Sequence, residues 1–83
     1  GGEEFVVLLP DTLPEQAALL AERLREKIAG AHVPTGSGEI QYTASFGITG
    51  VTDEDASITH TINRADEALY RAKANGRNCV ERG

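Results

Sequence analysis

Apolar and polar positions along the chain follow two periods, and they divide it into short elements. Phe5-Val6-Val7-Leu8-Leu9 is a nearly continuous apolar run, the pattern of a strand buried on both faces. Pro10-Asp11 ends it. Thr12-Leu13-Pro14-Glu15 reads as a capping box, with Thr12 as N-cap, Glu15 three residues on and Pro14 in the first turn. Ala17, Leu20, Ala21, Leu24 and Ile28 follow at helical spacing and make one apolar stripe, while Glu22, Arg23, Arg25, Glu26 and Lys27 lie mostly off it. Gly30 is the expected stop. The segment 33–38 holds Pro34, Gly36 and Gly38 and reads as a loop or hairpin lead-in.

Glu39 to Ile48 alternates, and the spacing predicts one strand. Ile40, Tyr42, Ala44, Phe46 and Ile48 share one face; Gln41, Thr43, Ser45 and Gly47 share the other, which is small and polar. A face of that kind admits the close approach of a helix or ligand, or else it is the wet side of an edge strand. Ser57 is the candidate N-cap of a second helix, with Ile58, Ile62, Ala65, Leu69 and Ala72 as its stripe. Asn75-Gly76 ends it, with Gly76 free to take a left-handed cap. Cys79-Val80 begins a short final strand. The order is therefore β-α-β-α-β.

Composition narrows the class. The chain has 83 residues, enough for one small domain that buries about 60% of its unfolded surface. With 40% hydrophobic and 25% charged residues it reads as soluble and globular. A net charge of −5 argues against a partner that is a nucleic-acid polymer, which demands a basic face. It does not exclude a nucleotide whose phosphates are bridged by metal ions. No apolar run approaches the ~20 residues of a membrane span, and the opening glycines and acids do not read as a signal peptide. The lone Cys79 permits no internal disulfide, which suits a reducing cytoplasmic setting, and it reads as a small core residue. The chain opens without an initiator Met on half of a turn, and the reading is the C-terminal piece of a larger domain.

Two places carry candidate chemistry. Gly1-Gly2 reads as a tight turn, and Glu3 and Glu4 sit at the mouth of the strand that follows. Carboxylates at a glycine turn suit a hard divalent metal on a phosphate ester, but taken alone they read first as the solvated acids of an ordinary hairpin tip. At the far end, Lys73 and Arg77 stand four residues apart across the end of the second helix. Both heads can reach one anion, or both can simply complement the helix dipole. Leu69 and Tyr70 read as core anchors. His60 is expected to face solvent, and Asp66 to support the helix face or cap a neighbour.

Four stretches together resemble the C-terminal half of a GGDEF domain, the catalytic domain of diguanylate cyclases. They are Gly1-Gly2-Glu3-Glu4-Phe5, the helix phrase AERLRE, the strand phrase TASFGITG, and ADEALYRAKANGRN. The resemblance covers essentially all 83 residues. It implies a partial nucleotidyl-cyclase, palm-like α+β sandwich in which helices pack on a mostly antiparallel sheet. It implies that two GTP are joined into cyclic di-GMP, a bacterial second messenger, with release of two pyrophosphates. Gly2 would let the nucleotide approach closely. Glu3 and Glu4 would hold Mg²⁺ or Mn²⁺, and Glu4 is assigned either to metal binding or to activating the attacking 3′-hydroxyl. Lys73 and Arg77 would grip the β- and γ-phosphates. Arg23 resembles a secondary inhibitory arginine that touches product bound at a partner domain; it also reads as a plain solvated helix residue.

Each domain of the family holds one GTP, so a second GGDEF domain is the expected partner. The family's other metal-binding aspartate, its guanine-reading Asn and Asp, and its R-x-x-D inhibitory motif have no counterpart in these residues. The resemblance therefore implies that the chain alone is inactive, exposes strand faces, and associates with the missing half or another copy. Any membrane anchor of the parent is expected outside this segment. The alternative is a degenerate module that binds GTP or cyclic di-GMP, or only dimerises. Such members usually lose the acids or the cations, and this chain keeps both.

Overall fold

The computed structural model describes residues 6–83. Its elements run α1 (Pro14–Gly30), β1 (Val33–Thr35), β2 (Gly38–Ile40), β3 (Phe46–Ile48), α2 (Ile58–Ala74) and β4 (Val80–Arg82). This mixture of helices and small sheets is the expected α+β class. The antiparallel pairing belongs to the β1–β2 hairpin, while both helices pack on β3 and β4, which run parallel. Parallel neighbours need a long crossover, and α2 supplies it between β3 and β4.

The closest packing is between α2 and β3. A Cβ built on Gly47 would fall on the Ala65 carbonyl oxygen and the Leu69 amide nitrogen, and would sit 2.8 Å from Leu69 Cα. Gly47 thus lets the strand backbone touch the helix backbone, as the small face of this segment allowed. The helix meets it with small residues: Thr61, Ala68 and Ala72 are buried. From α1 only Ala21 is buried, with Leu20 and Leu24 partly open to solvent. A core built on three alanines and a threonine is thin. The radius of gyration, 14.4 Å, exceeds the roughly 12 Å of a compact domain of this length.

Four sequence expectations need correction. Residues 6–9 form no strand, and Val6, Val7 and Leu8 are exposed. A strand is a paired object, and no described segment offers this one a ladder. Glu39 to Ile48 is not one strand: Gly38–Ile40 pairs with β1, Phe46–Ile48 pairs with β4, and 41–45 leaves one ladder to reach the other. Leu13, not Thr12, is the N-cap of α1, because Gln16 Oε1 accepts the Leu13 N–H at 3.0 Å while Thr12 Oγ1 turns back to donate to the Pro10 carbonyl. Tyr70 is not a core anchor: it is 74% exposed, since the small residues of α2 face the strands and Tyr70 points away from them.

The hairpin at 33–40 turns through Gly36 and Ser37. Thr35 Oγ1 closes it, donating to the Gly38 carbonyl at 2.7 Å and accepting from the Ser37 N–H at 3.3 Å. His32 and Glu39 meet at 2.8 Å at its base. Among the described residues the hairpin packs on no other element.

Candidate functional site

Two cationic sites lie along α2, and they are built differently. Ser57 is the N-cap of the helix, as its sequence suggests, but its side chain makes no capping hydrogen bond. The N-terminal end is held instead by Arg64 and Asp55. Arg64 Nη1 donates to Asp55 Oδ1 at 2.7 Å and Nη2 to Asp55 Oδ2 at 2.8 Å, a bidentate fork. Its Nε donates to Thr49 Oγ1 at 2.7 Å, and Nη2 donates also to the Gly50 carbonyl at 2.6 Å. Asp55 also accepts from Thr61 Oγ1 and the Thr52 N–H. The Asp55 side chain is only 5% exposed. The Arg64 guanidinium, with help from the Thr52 N–H and the Thr61 hydroxyl, holds the Asp55 carboxyl well below the usual carboxylate range. The same bond to Asp55 raises Arg64. Nothing in the sequence pattern announced this pair; the nine-residue separation crosses from a loop into a helix and matches no local rule.

The C-terminal end opens on the residues singled out from the sequence. Lys73 lies in the last turn of α2 and is half-buried, beside Asp66, Leu69 and Tyr70, which line a shallow depression with it. Asn75 is the C-cap. The Arg77 N–H then donates to the Ala72 carbonyl at 3.0 Å and the Gly76 N–H to the Lys73 carbonyl at 3.4 Å. These two bonds are those of a Schellman motif, with Gly76 at φ +107 in the left-handed position that glycine takes without strain. The next two residues are also left-handed: Arg77 has φ 63 and Asn78 φ 49. Asparagine tolerates that region, whereas arginine is strained in it. Strain of this kind gathers at functional positions. The Arg77 side chain is exposed, and it makes no hydrogen bond or ion pair to any described residue.

A third cluster ties α1 to this turn. Arg25 engages the Glu22 carboxylate through Nε, 3.0 Å from each oxygen, and through a short Nη2–Oε1 contact. Its Nη1 donates to Asn78 Oδ1 at 3.0 Å. The hydrogen bond from Arg25 holds Glu22 below its ordinary value, and Glu22 in turn raises Arg25. Asn78 donates its own N–H to Ser45 Oγ at 3.0 Å.

The fold therefore brings Lys73 and Arg77 to the same end of α2. Arg23 is exposed on α1, as expected of a residue off the apolar stripe, and His60 is exposed on α2. Gly2, Glu3 and Glu4 lie outside the described residues. Among the described residues no three His, Cys, Asp or Glu side chains converge as metal ligands. Cys79 is half-buried, with its thiol 3.3 Å from the Ala72 carbonyl. No described helix is long and apolar enough to cross a membrane.

Comparison with known proteins converges on one family. The model of the diguanylate cyclase GGDEF domain matches residues 1–79. Response regulator PleD of Caulobacter vibrioides is 40% identical over 82 residues, which covers 96% of this chain and 18% of that protein. Diguanylate cyclase DgcP of Pseudomonas aeruginosa is 46% identical over 81 residues, covering 98% of this chain and 12% of that protein. Diguanylate cyclase DgcM of Escherichia coli is 44% identical over 80 residues, covering 96% and 18%. The chain thus spans less than a fifth of the length of each of these relatives.

Proposed function

Because the chain belongs to the GGDEF family of diguanylate cyclases, we propose that it works within an enzyme that joins two GTP into cyclic di-GMP and releases two pyrophosphates. What supports this reading is the end of α2. Lys73 and Arg77 flank a Schellman turn, and Arg77 is strained and open to solvent. Nucleotidyl transfer asks a protein for alignment and charge neutralisation more than for covalent chemistry. Lys73 and Arg77 take the β- and γ-phosphates. Gly2 leaves room for the nucleotide, and Glu3 and Glu4 supply the carboxylates. Glu3 and Glu4 would hold Mg²⁺ or Mn²⁺, which would supply polarisation of the α-phosphate and a lower pKa for the attacking hydroxyl.

Residues 1–83 serve as the C-terminal portion of one GGDEF domain in the cytoplasm, and a second such domain faces it with the second GTP. Arg23, exposed on α1, touches product bound at that partner and inhibits. Val6, Val7, Leu8 and Leu19 are exposed, and the rest of the domain covers them, so the isolated chain is inactive.

The test is an assay of the intact protein with GTP and Mg²⁺. Cyclic di-GMP and pyrophosphate are expected in a one-to-two ratio, and Glu4→Gln abolishes turnover with the fold intact. Absence of cyclic di-GMP at micromolar enzyme overturns the reading. Tight GTP binding without turnover identifies a degenerate binding module instead.

A further inference from the structure

We propose that Arg25 is a positioning residue for Arg77, acting through Asn78; this rests on the reading of Arg77 as a phosphate grip given above. The guanidinium of Arg25 is bound on one side by the Glu22 carboxylate, through Nε and Nη2. That fork fixes the guanidinium plane and leaves Nη1 aimed at Asn78 Oδ1, 3.0 Å away. The Arg25 side chain is only 19% exposed, so water competes little for its donors. Asn78 is held from a second direction as well, because Ser45 Oγ, just ahead of β3, accepts its N–H at 3.0 Å. Helix α1 and the approach to β3 thus converge on the residue that follows Arg77.

The consequence falls on Arg77. Its backbone sits at φ 63, a conformation that a side chain with a Cβ avoids. The Schellman bonds close the helix through the Gly76 and Arg77 N–H groups, and they leave the exit from Arg77 unfixed. Asn78, clamped by Arg25 and Ser45, fixes that exit. If the clamp opens, Arg77 relaxes toward an ordinary φ, and the rotation about its Cα swings the guanidinium away from its bearing. Arg25 touches no phosphate in this scheme. It sets the direction from which Arg77 does, and the same helix carries Arg23 two residues earlier.

The experiment measures binding of inorganic tripolyphosphate with Mg²⁺ to the intact protein by calorimetry. The proteins compared are wild type, Arg25→Ala, Asn78→Ala, Arg77→Ala and the Arg25→Ala/Arg77→Ala double variant. Arg77→Ala is expected to weaken binding about tenfold, the scale of one charge-assisted hydrogen bond. Arg25→Ala and Asn78→Ala each weaken it by a similar or smaller factor, and both shift the Arg77 Nε–Hε NMR signal in the free protein. The double variant binds no more weakly than Arg77→Ala alone, because Arg25 acts only through Arg77. Wild-type affinity in Arg25→Ala or Asn78→Ala overturns the proposal. So does a double variant whose losses multiply, which marks a general structural effect. Asn78→Ala keeps the Glu22–Arg25 pair and serves if Arg25→Ala fails to fold. Wild-type affinity in Arg77→Ala sinks the phosphate-grip reading itself, an outcome separate from the other two.

Discussion

In the N-terminal half of α2, Arg64 commits all three of its guanidinium nitrogens to the fold; beyond the C-terminal end, Arg77 leaves its guanidinium in solvent. Arg64 closes a bidentate fork on a nearly buried Asp55 and fastens Thr49 and Gly50 to the helix. Arg77 sits in a backbone conformation that costs stability and gains no described side-chain contact in return. The same residue type on the same helix thus plays opposite parts. A cation whose hydrogen bonds are satisfied is architecture; a strained, exposed cation beside a second one is what the proposed phosphate grip needs.

The largest effect that bears on this contrast is catalytic. Replacing Lys73 and Arg77 together by Ala should lower turnover of GTP by about a thousandfold, as loss of fixed charges at a transferring phosphate does. Stability should move by no more than roughly 0.5 kcal/mol, because neither side chain is buried in the core. A steady-state assay paired with a thermal melt checks both halves. Gly47→Ala should do the reverse. The added methyl meets backbone atoms of α2 that cannot step aside, and the fold should lose about 3 kcal/mol, read by urea unfolding.

The Arg64 end should show itself in acid. Asp55 titrates lower in the folded chain than its unfolded value of about 3.9, so its contribution is complete above that pH. It is lost as the pH falls from there toward the depressed folded value. Stability between pH 5 and 8 should be indifferent to this pair. In Asp55→Asn this part of the acid limb should vanish, which unfolding curves from pH 5 downward would reveal. A smaller effect with the opposite sign is expected at Arg77. Arg77→Gly relieves the left-handed strain and should stabilise the fold by about 1 kcal/mol while removing the phosphate grip. Tyr70→Ala should change stability least, within roughly 0.5 kcal/mol, since the ring stands in solvent.

Legibility of the sequence followed the range of the interactions. The ends of α2 were readable because caps are local: Ser57 begins it, and Asn75-Gly76 ends it with the left-handed turn that glycine supplies. Gly47 was readable as a point of close approach because the small residues Thr43 and Ser45 shared its face. Lys73 and Arg77 were readable as a pair because helical spacing puts them at one end. What needed a partner far along the chain was hidden. The run at 6–9 has strand composition, yet composition cannot provide a ladder. The alternation from Glu39 to Ile48 continues across a break because alternation does not record which strand lies alongside. Arg25 and Asn78, 53 residues apart, and the Asp55–Arg64 fork were invisible for the same reason.

In the proposed function, the acids Glu3 and Glu4 and the two cations at the end of α2 meet around one metal-bound triphosphate. Adding Mn²⁺ and GTP to the intact protein tests it most directly, with the side-chain NMR signals of Lys73 and Arg77 as the readout. Paramagnetic broadening of both signals is predicted, and it should disappear in a Glu3→Gln/Glu4→Gln variant. Signals that stay sharp in the wild type while GTP binds would contradict it.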